Sequence, residues 1–232
     1  RPGFYPMAIS TAGVQLVFRT DAEGLRLRVT TPEGKLYHRY FAYDILVDEV
    51  LTGQLKNFPD TMENGHYDEI PLTQEPAEGY FSLGSGTKTV RIVFPWSMNL
   101  GLELLELENA TFAEPVAKSK KLLIYGDSIT QGACSLYPSQ TYAAQLGRWL
   151  DAEAISKAVG SEYYYPELAQ IKLQTCPDYI TVSYGCNDWY HLSREEFTDR
   201  CHRFWAAVCQ NYPAAKKFAL TPIYYLADCG ER

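Results

Sequence analysis

No apolar run in the 232 residues is long enough to cross a bilayer as a helix, so a helical membrane span is not expected. Basic residues are in the minority, 21 Lys and Arg against 28 Asp and Glu, for a net charge of −7. Phosphate-backbone binding needs a basic stripe, and this balance argues against a nucleic-acid partner. Cysteine is sparse and one-sided, with Cys134, Cys176, Cys186, Cys201, Cys209 and Cys229 all in the second half. Their spacings match neither a zinc site nor a compact disulfide framework, so free thiols in a reducing compartment are expected. Arg1-Pro2-Gly3 does not open a signal peptide, and a cytoplasmic location is expected over a secreted one. No internal repeat or low-complexity segment is present. Histidine is limited to His38, His66, His191 and His202.

What is there divides by texture. With 46% hydrophobic residues the chain can bury a sizeable core. Up to about residue 112, short alternating runs recur between Gly, Pro and Asp. Gly13-Val14-Gln15-Leu16-Val17-Phe18, Leu25-Arg26-Leu27-Arg28-Val29, Tyr43-Asp44-Ile45-Leu46-Val47-Asp48 and Thr89-Val90-Arg91-Ile92-Val93-Phe94 read as strands, with Leu102 to Leu107 as the last. Period-two runs with frequent turn signals predict an antiparallel sandwich. Glu114-Pro115 to Lys121 reads as a polar linker, after which strands and helices alternate.

In that second part a helix is predicted from Pro138 to about Leu150, with Tyr142, Leu146 and Trp149 on its buried face. Ser193-Arg194-Glu195-Glu196 has the form of a capping box and opens a helix to about Asn211, whose buried stripe is Phe197, Cys201, Phe204 and Val208. Lys217 to Thr221 is a further strand, stopped by Pro222.

The chemistry concentrates where apolar strands end. Leu122-Leu123-Ile124-Tyr125 stops at Gly126-Asp127-Ser128-Ile129-Thr130, and Tyr179 to Tyr184 stops at Gly185-Cys186-Asn187-Asp188. Ligands of open α/β sheets bind at the carboxyl ends of strands, which puts both polar segments where a substrate can meet them. Ser128 is the candidate nucleophile; its ordinary alternative is a helix N-cap. Asn187 is the candidate side-chain donor to a developing negative charge; its alternative is an Asx-turn. Cys186 reads as filler in a tight turn.

Through these two segments, in this order and strand context, the chain resembles the SGNH (GDSL-type) serine hydrolases over about residues 118–226. The alternating runs of the first part are read as a jelly-roll-like antiparallel β-sandwich over 1–115, and the resemblance implies a three-layer α/β/α SGNH-hydrolase-like domain with a parallel sheet over 116–232. It implies that Ser128 is the catalytic serine and that the oxyanion donors are the Ser128 backbone N–H, Gly160 or Ser161 in the loop 156–162, and Asn187. Gly126, Asp127, Gly185 and Asp188 are the supporting motif residues. A sandwich joined to such a domain resembles bacterial carbohydrate esterases, which implies removal of acetyl or other short acyl groups from a small-molecule or carbohydrate ester, with no metal or organic cofactor. Tyr163, with Tyr164 and Tyr165, and Trp189, with Tyr190, are candidate sugar platforms or plain core.

The family's catalytic histidine lies near the C-terminus in an Asp-x-x-His segment, and no such segment lies there. Asp188-Trp189-Tyr190-His191 has the spacing but is read as coincidence, because that loop carries Asn187. His38, His66 and His202 read as surface or packing residues. A catalytic domain cut short at the C-terminus is therefore expected, with a non-catalytic carbohydrate-binding or interaction protein of degenerate SGNH fold as the alternative.

Overall fold

The computed structural model describes residues 2–30, 40–58 and 77–222. His38, His66 and Cys229 lie outside them. A 3-10 turn, Pro2–Phe4, and a short helix α1, Tyr5–Ala8, precede eight strands. These are β1 (Gln15–Thr20), β2 (Gly24–Thr30), β3 (Ala42–Val47), β4 (Val50–Lys56), β5 (Ala77–Ser82), β6 (Lys88–Val93), β7 (Gly101–Glu108) and β8 (Ala113–Pro115). They form two antiparallel sheets, ordered β4-β3-β6-β1-β8 and β5-β2-β7.

Alternation explains how the sheets face one another. Leu25, Leu27 and Val29 of β2 pack with Tyr43 and Ile45 of β3 and with Val90 and Ile92 of β6 in one apolar core. Intervening residues of β2 such as Arg26 and Arg28 stay outside and pair with Glu78. β4, whose burial does not alternate, and β5, whose burial does, were not predicted. Glu114 and Pro115, read as linker, instead belong to the edge strand β8, opposite Arg19 and Phe18 of β1. Proline is tolerated there because an edge strand has one side free of ladder bonds.

The second part is a parallel sheet, ordered β10-β9-β11-β12, of β9 (Lys120–Gly126), β10 (Ala152–Ser156), β11 (Tyr179–Ser183) and β12 (Lys216–Ala219). Between them lie helices α2 (Ser128–Gln131), α3 (Tyr142–Trp149), α4 (Pro166–Gln170), α5 (Cys186–His191) and α6 (Arg194–Asn211). β9 is apolar without alternation because both faces are covered. Leu122 and Ile124 pack with α3, while Leu123 and Tyr125 pack with Ala169 of α4 and with Phe204 and Val208 of α6.

The capping box at Ser193 forms as expected, the Ser193 hydroxyl accepting from the Glu196 N–H at 3.2 Å and the Glu196 carboxylate from the Ser193 N–H at 3.0 Å. The helix predicted from Pro138 is broken into a 3-10 turn, Pro138–Gln140, and α3, with Thr141 capping α3. Trp149, expected on the buried face, is 75% exposed at the end of α3. The five described cysteines form no disulfide. Among the described residues no helix is long and apolar enough to cross a membrane.

The antiparallel sheets and the segments next to them hold the loop that follows α2. Asp44, fully buried in β3, accepts from the Ser139 N–H at 2.9 Å and from Gln54 Nε2 at 2.7 Å. The Trp96 indole donates to the Ser135 carbonyl at 2.8 Å, and Tyr40, Phe58 and Trp96 form an apolar cluster with Ala133, Leu136 and Tyr137.

Candidate active site

β9 and β11 are neighbours in register, Gly126 opposite Ser183, so the segments that follow them emerge side by side. Asp127 turns the chain out of β9, its carboxylate accepting from the Ile129 N–H at 3.0 Å as the N-cap of α2. Ser128 is thereby the first residue of a four-residue helix, half-buried, with its N–H outside the helical ladder. Gly126 is required by space: a Cβ there would collide with the Thr130 hydroxyl and lie 3.0 Å from the Ser183 carbonyl oxygen. Thr130 is itself held by a 2.7 Å hydrogen bond to Tyr142.

Asn187 sits in the first turn of a helix, not in the turn or strand end read from the sequence. Gly185 precedes it at φ 123°, a conformation that side chains rarely adopt, and a Cβ there would strike Pro222. Asn187 Nδ2 donates to the Glu162 carbonyl oxygen at 2.9 Å and lies 3.5 Å from Asp127 Oδ2. One amide hydrogen is thus committed to the loop after β10, and the other is turned toward the β9 terminus.

That loop carries Gly160, buried, and Ser161, exposed. Ser161 has φ 60°, the left-handed region. A non-glycine residue there costs about 1 kcal/mol. Glu162 is 4% exposed and its carboxylate accepts from the Tyr163 N–H at 3.2 Å. Asp188 ties the loops together, Oδ1 accepting from the Tyr164 N–H and Oδ2 from the Gly185 N–H, each at 2.9 Å. The sequence placed Asp188 in the motif, but nothing in it marked the partnership with Tyr164 or the burial of Glu162.

Burial shapes the local electrostatics. It pushes the Asp127 carboxyl above its usual range, against the hydrogen bond from Ile129, and the Asp188 charge adds to the rise. Burial also raises Asp188, opposed by its bonds from Tyr164 and Gly185 and by the Arg200 charge. The Tyr184 hydroxyl is raised far above its usual value by burial and by Glu162.

The aromatic candidates separate. Tyr164 is core, packed on Tyr184, Phe197 and Phe204. Tyr163 is half-buried, and Trp189 and Tyr190 are 55% and 64% exposed. Among the described residues no hydrogen bond joins a histidine to the Ser128 hydroxyl. His191 is exposed beside Tyr163, ring centroids 6.1 Å apart, and His202 is exposed on α6. No group of three or more His, Cys, Asp or Glu among the described residues is placed to hold a metal ion.

No family model and no curated protein sequence matches the chain. Solved structures do. A salicylyl-acyltransferase from a tetracycline biosynthetic pathway superposes with a TM-score of 0.68 at 24% identity, over 90% of this chain and 59% of that one. A Bacteroides ovatus protein described as a GDSL-like lipase gives 0.71 at 19% identity, over 94% and 64%. A family two carbohydrate esterase from Clostridium thermocellum, in complex with cellohexaose, gives 0.64 at 14% identity, over 92% and 72%. The chain thus spans less than two thirds of the first two proteins. At these identities the likeness is one of fold, and the chain has the β plus α/β fold of GDSL-like lipases and family two carbohydrate esterases.

Proposed function

We propose that this protein is a serine-dependent ester hydrolase that removes acetyl or other short acyl groups from a carbohydrate or related small ester. The observation that carries the reading is the convergence of Ser128, the loop at 160–161 and Asn187 at the ends of adjacent parallel strands, with the Asn187 amide fixed by Glu162. Ester cleavage needs a nucleophile and donors arranged before the oxyanion forms. In this reading the Ser128 Oγ attacks the acyl carbonyl carbon, and the tetrahedral oxygen is met by the N–H groups of Ser128 and of Gly160 or Ser161 and by Asn187 Nδ2. The alcohol leaves with a proton, and water then releases the acid from Ser128.

The reading places the general base outside the described residues. It also takes residues 1–115 as a jelly-roll-like sandwich domain and 116–232 as the hydrolase domain. Trp189 and Tyr163 stand at the rim as surfaces for a sugar ring, and the fold likeness to carbohydrate esterases supports that substrate class.

The test is the incubation of the full-length protein with an acetylated methyl xyloside, followed by proton NMR. Equimolar free acetate and deacetylated sugar are expected. Saturable binding of the xyloside with no acetate release would favour the second reading, a non-catalytic carbohydrate-binding protein. That reading draws on the absence of a histidine bonded to Ser128 among the described residues.

A further inference from the structure

The first residues of the chain reach both arms of the Ser128 site. Gln131, 4% exposed, lies on the same short helix as Ser128, and its Nε2 donates to the Met7 carbonyl oxygen at 3.0 Å and to the Ser10 hydroxyl at 3.2 Å. On the other arm, the Phe4 ring meets Tyr163 edge-on, with centroids 6.4 Å apart and planes at 76°. Tyr163 directly follows Glu162, whose carbonyl holds Asn187. Thr11 fastens the far end of the segment to the sandwich, its hydroxyl within 2.6 Å of the Pro95 carbonyl and 3.0 Å of that of Met98.

Tyr163 has little freedom to move away from Phe4. The Arg200 guanidinium lies over its ring at 5.1 Å, and the His191 ring lies 6.1 Å away. Phe4 is half-buried, whereas the next residue, Tyr5, is 65% exposed. The segment therefore turns Phe4, and not Tyr5, toward the oxyanion loop.

We propose that residues 2–11 form a wall of the Ser128 cleft and that Phe4 is a specificity-determining residue, limiting the size of the ester group held on the Tyr163 side. The inference rests on the hydrolase reading. The acyl and alcohol groups of an ester diverge from the carbonyl carbon, so one of them lies along this wall. An edge-to-face aromatic pair contributes on the order of 1 kcal/mol, so truncating Phe4 opens space without unfolding the protein.

Binding to the full-length protein carrying Ser128→Ala, which cannot turn over through that serine, isolates the wall from catalysis. Dissociation constants are measured calorimetrically for two series. One varies the acyl group on methyl xyloside through acetate, butyrate and benzoate; the other varies the alcohol of an acetate through methanol, methyl xyloside and xylobiose. In one of the two series, Phe4→Ala is expected to favour the largest member over the smallest by about tenfold relative to the parent, a change of about 1.4 kcal/mol. Phe4→Trp, which is larger than Phe4 and narrows the space further, is expected to shift that series the opposite way. If the parent binds both series and neither variant changes either ratio, the wall is wrong while the hydrolase reading stands. If the parent binds no ester at all, both fall.

Discussion

The Asn187 side-chain nitrogen and the Glu162 carbonyl oxygen are 2.9 Å apart, and this bond leaves the other amide hydrogen for the side of Asp127 Oδ2, 3.5 Å away and next in sequence to Ser128. A donor held in place before the reaction acts chiefly on charge that exists in the transition state. Asn187→Ala is therefore expected to lower kcat by about two to three decades with KM little changed. Steady-state kinetics on an aryl acetate check this, and a raised KM with unchanged kcat would make Asn187 a substrate-binding residue instead.

Asp188 is 1% exposed and is the shared acceptor for the Tyr164 and Gly185 N–H groups. Removing it leaves two buried donors without an acceptor, at about 1–3 kcal/mol each. Asp188→Ala is expected to lower unfolding stability by about 3 kcal/mol and the melting temperature by roughly 6–12 °C. Asp188→Asn, which keeps one carbonyl acceptor, should lose less. Equal melting temperatures for the parent and Asp188→Ala would show that the two loops are held by something else.

How much of this was legible depends on how local each signal is. The β9 run and the Ser193 capping box are local and were readable, as was the emergence of the Ser128 and Asn187 segments beyond the ends of β9 and β11. The helix that carries Asn187 was not, because Gly185-Cys186-Asn187-Asp188 reads as a turn until Asp188 is seen bonding to Gly185 and Tyr164. Trp149 fits the spacing of a buried helix face, yet the helix ends there and no second layer among the described residues covers the ring. The bond from Gln131 to Met7 spans 124 residues and leaves no trace in any local pattern.

Asp127 gives a pH dependence with a definite sign. Burial raises its carboxyl above the ordinary 3.8, so the folded protein holds that proton more tightly than the unfolded chain does. Its contribution to stability is full below the unfolded value and is lost as the pH rises through the raised folded value. Above that, the buried charge is a constant penalty. Relative to Asp127→Asn, the parent should lose stability as pH rises from about 4 and then level off, read from urea unfolding at successive pH values. A difference that stays flat, or that grows in the parent's favour, would mean that Asp127 is not raised.

The account turns on Ser128 as the nucleophile. The most direct measurement is acetate release from an aryl acetate by the full-length protein and by its Ser128→Ala variant under identical conditions. A loss of about three decades or more is predicted, the scale usual for removal of a catalytic serine. Retention of activity within tenfold of the parent would contradict the assignment, and a parent that releases no acetate from any ester would contradict the hydrolase reading itself.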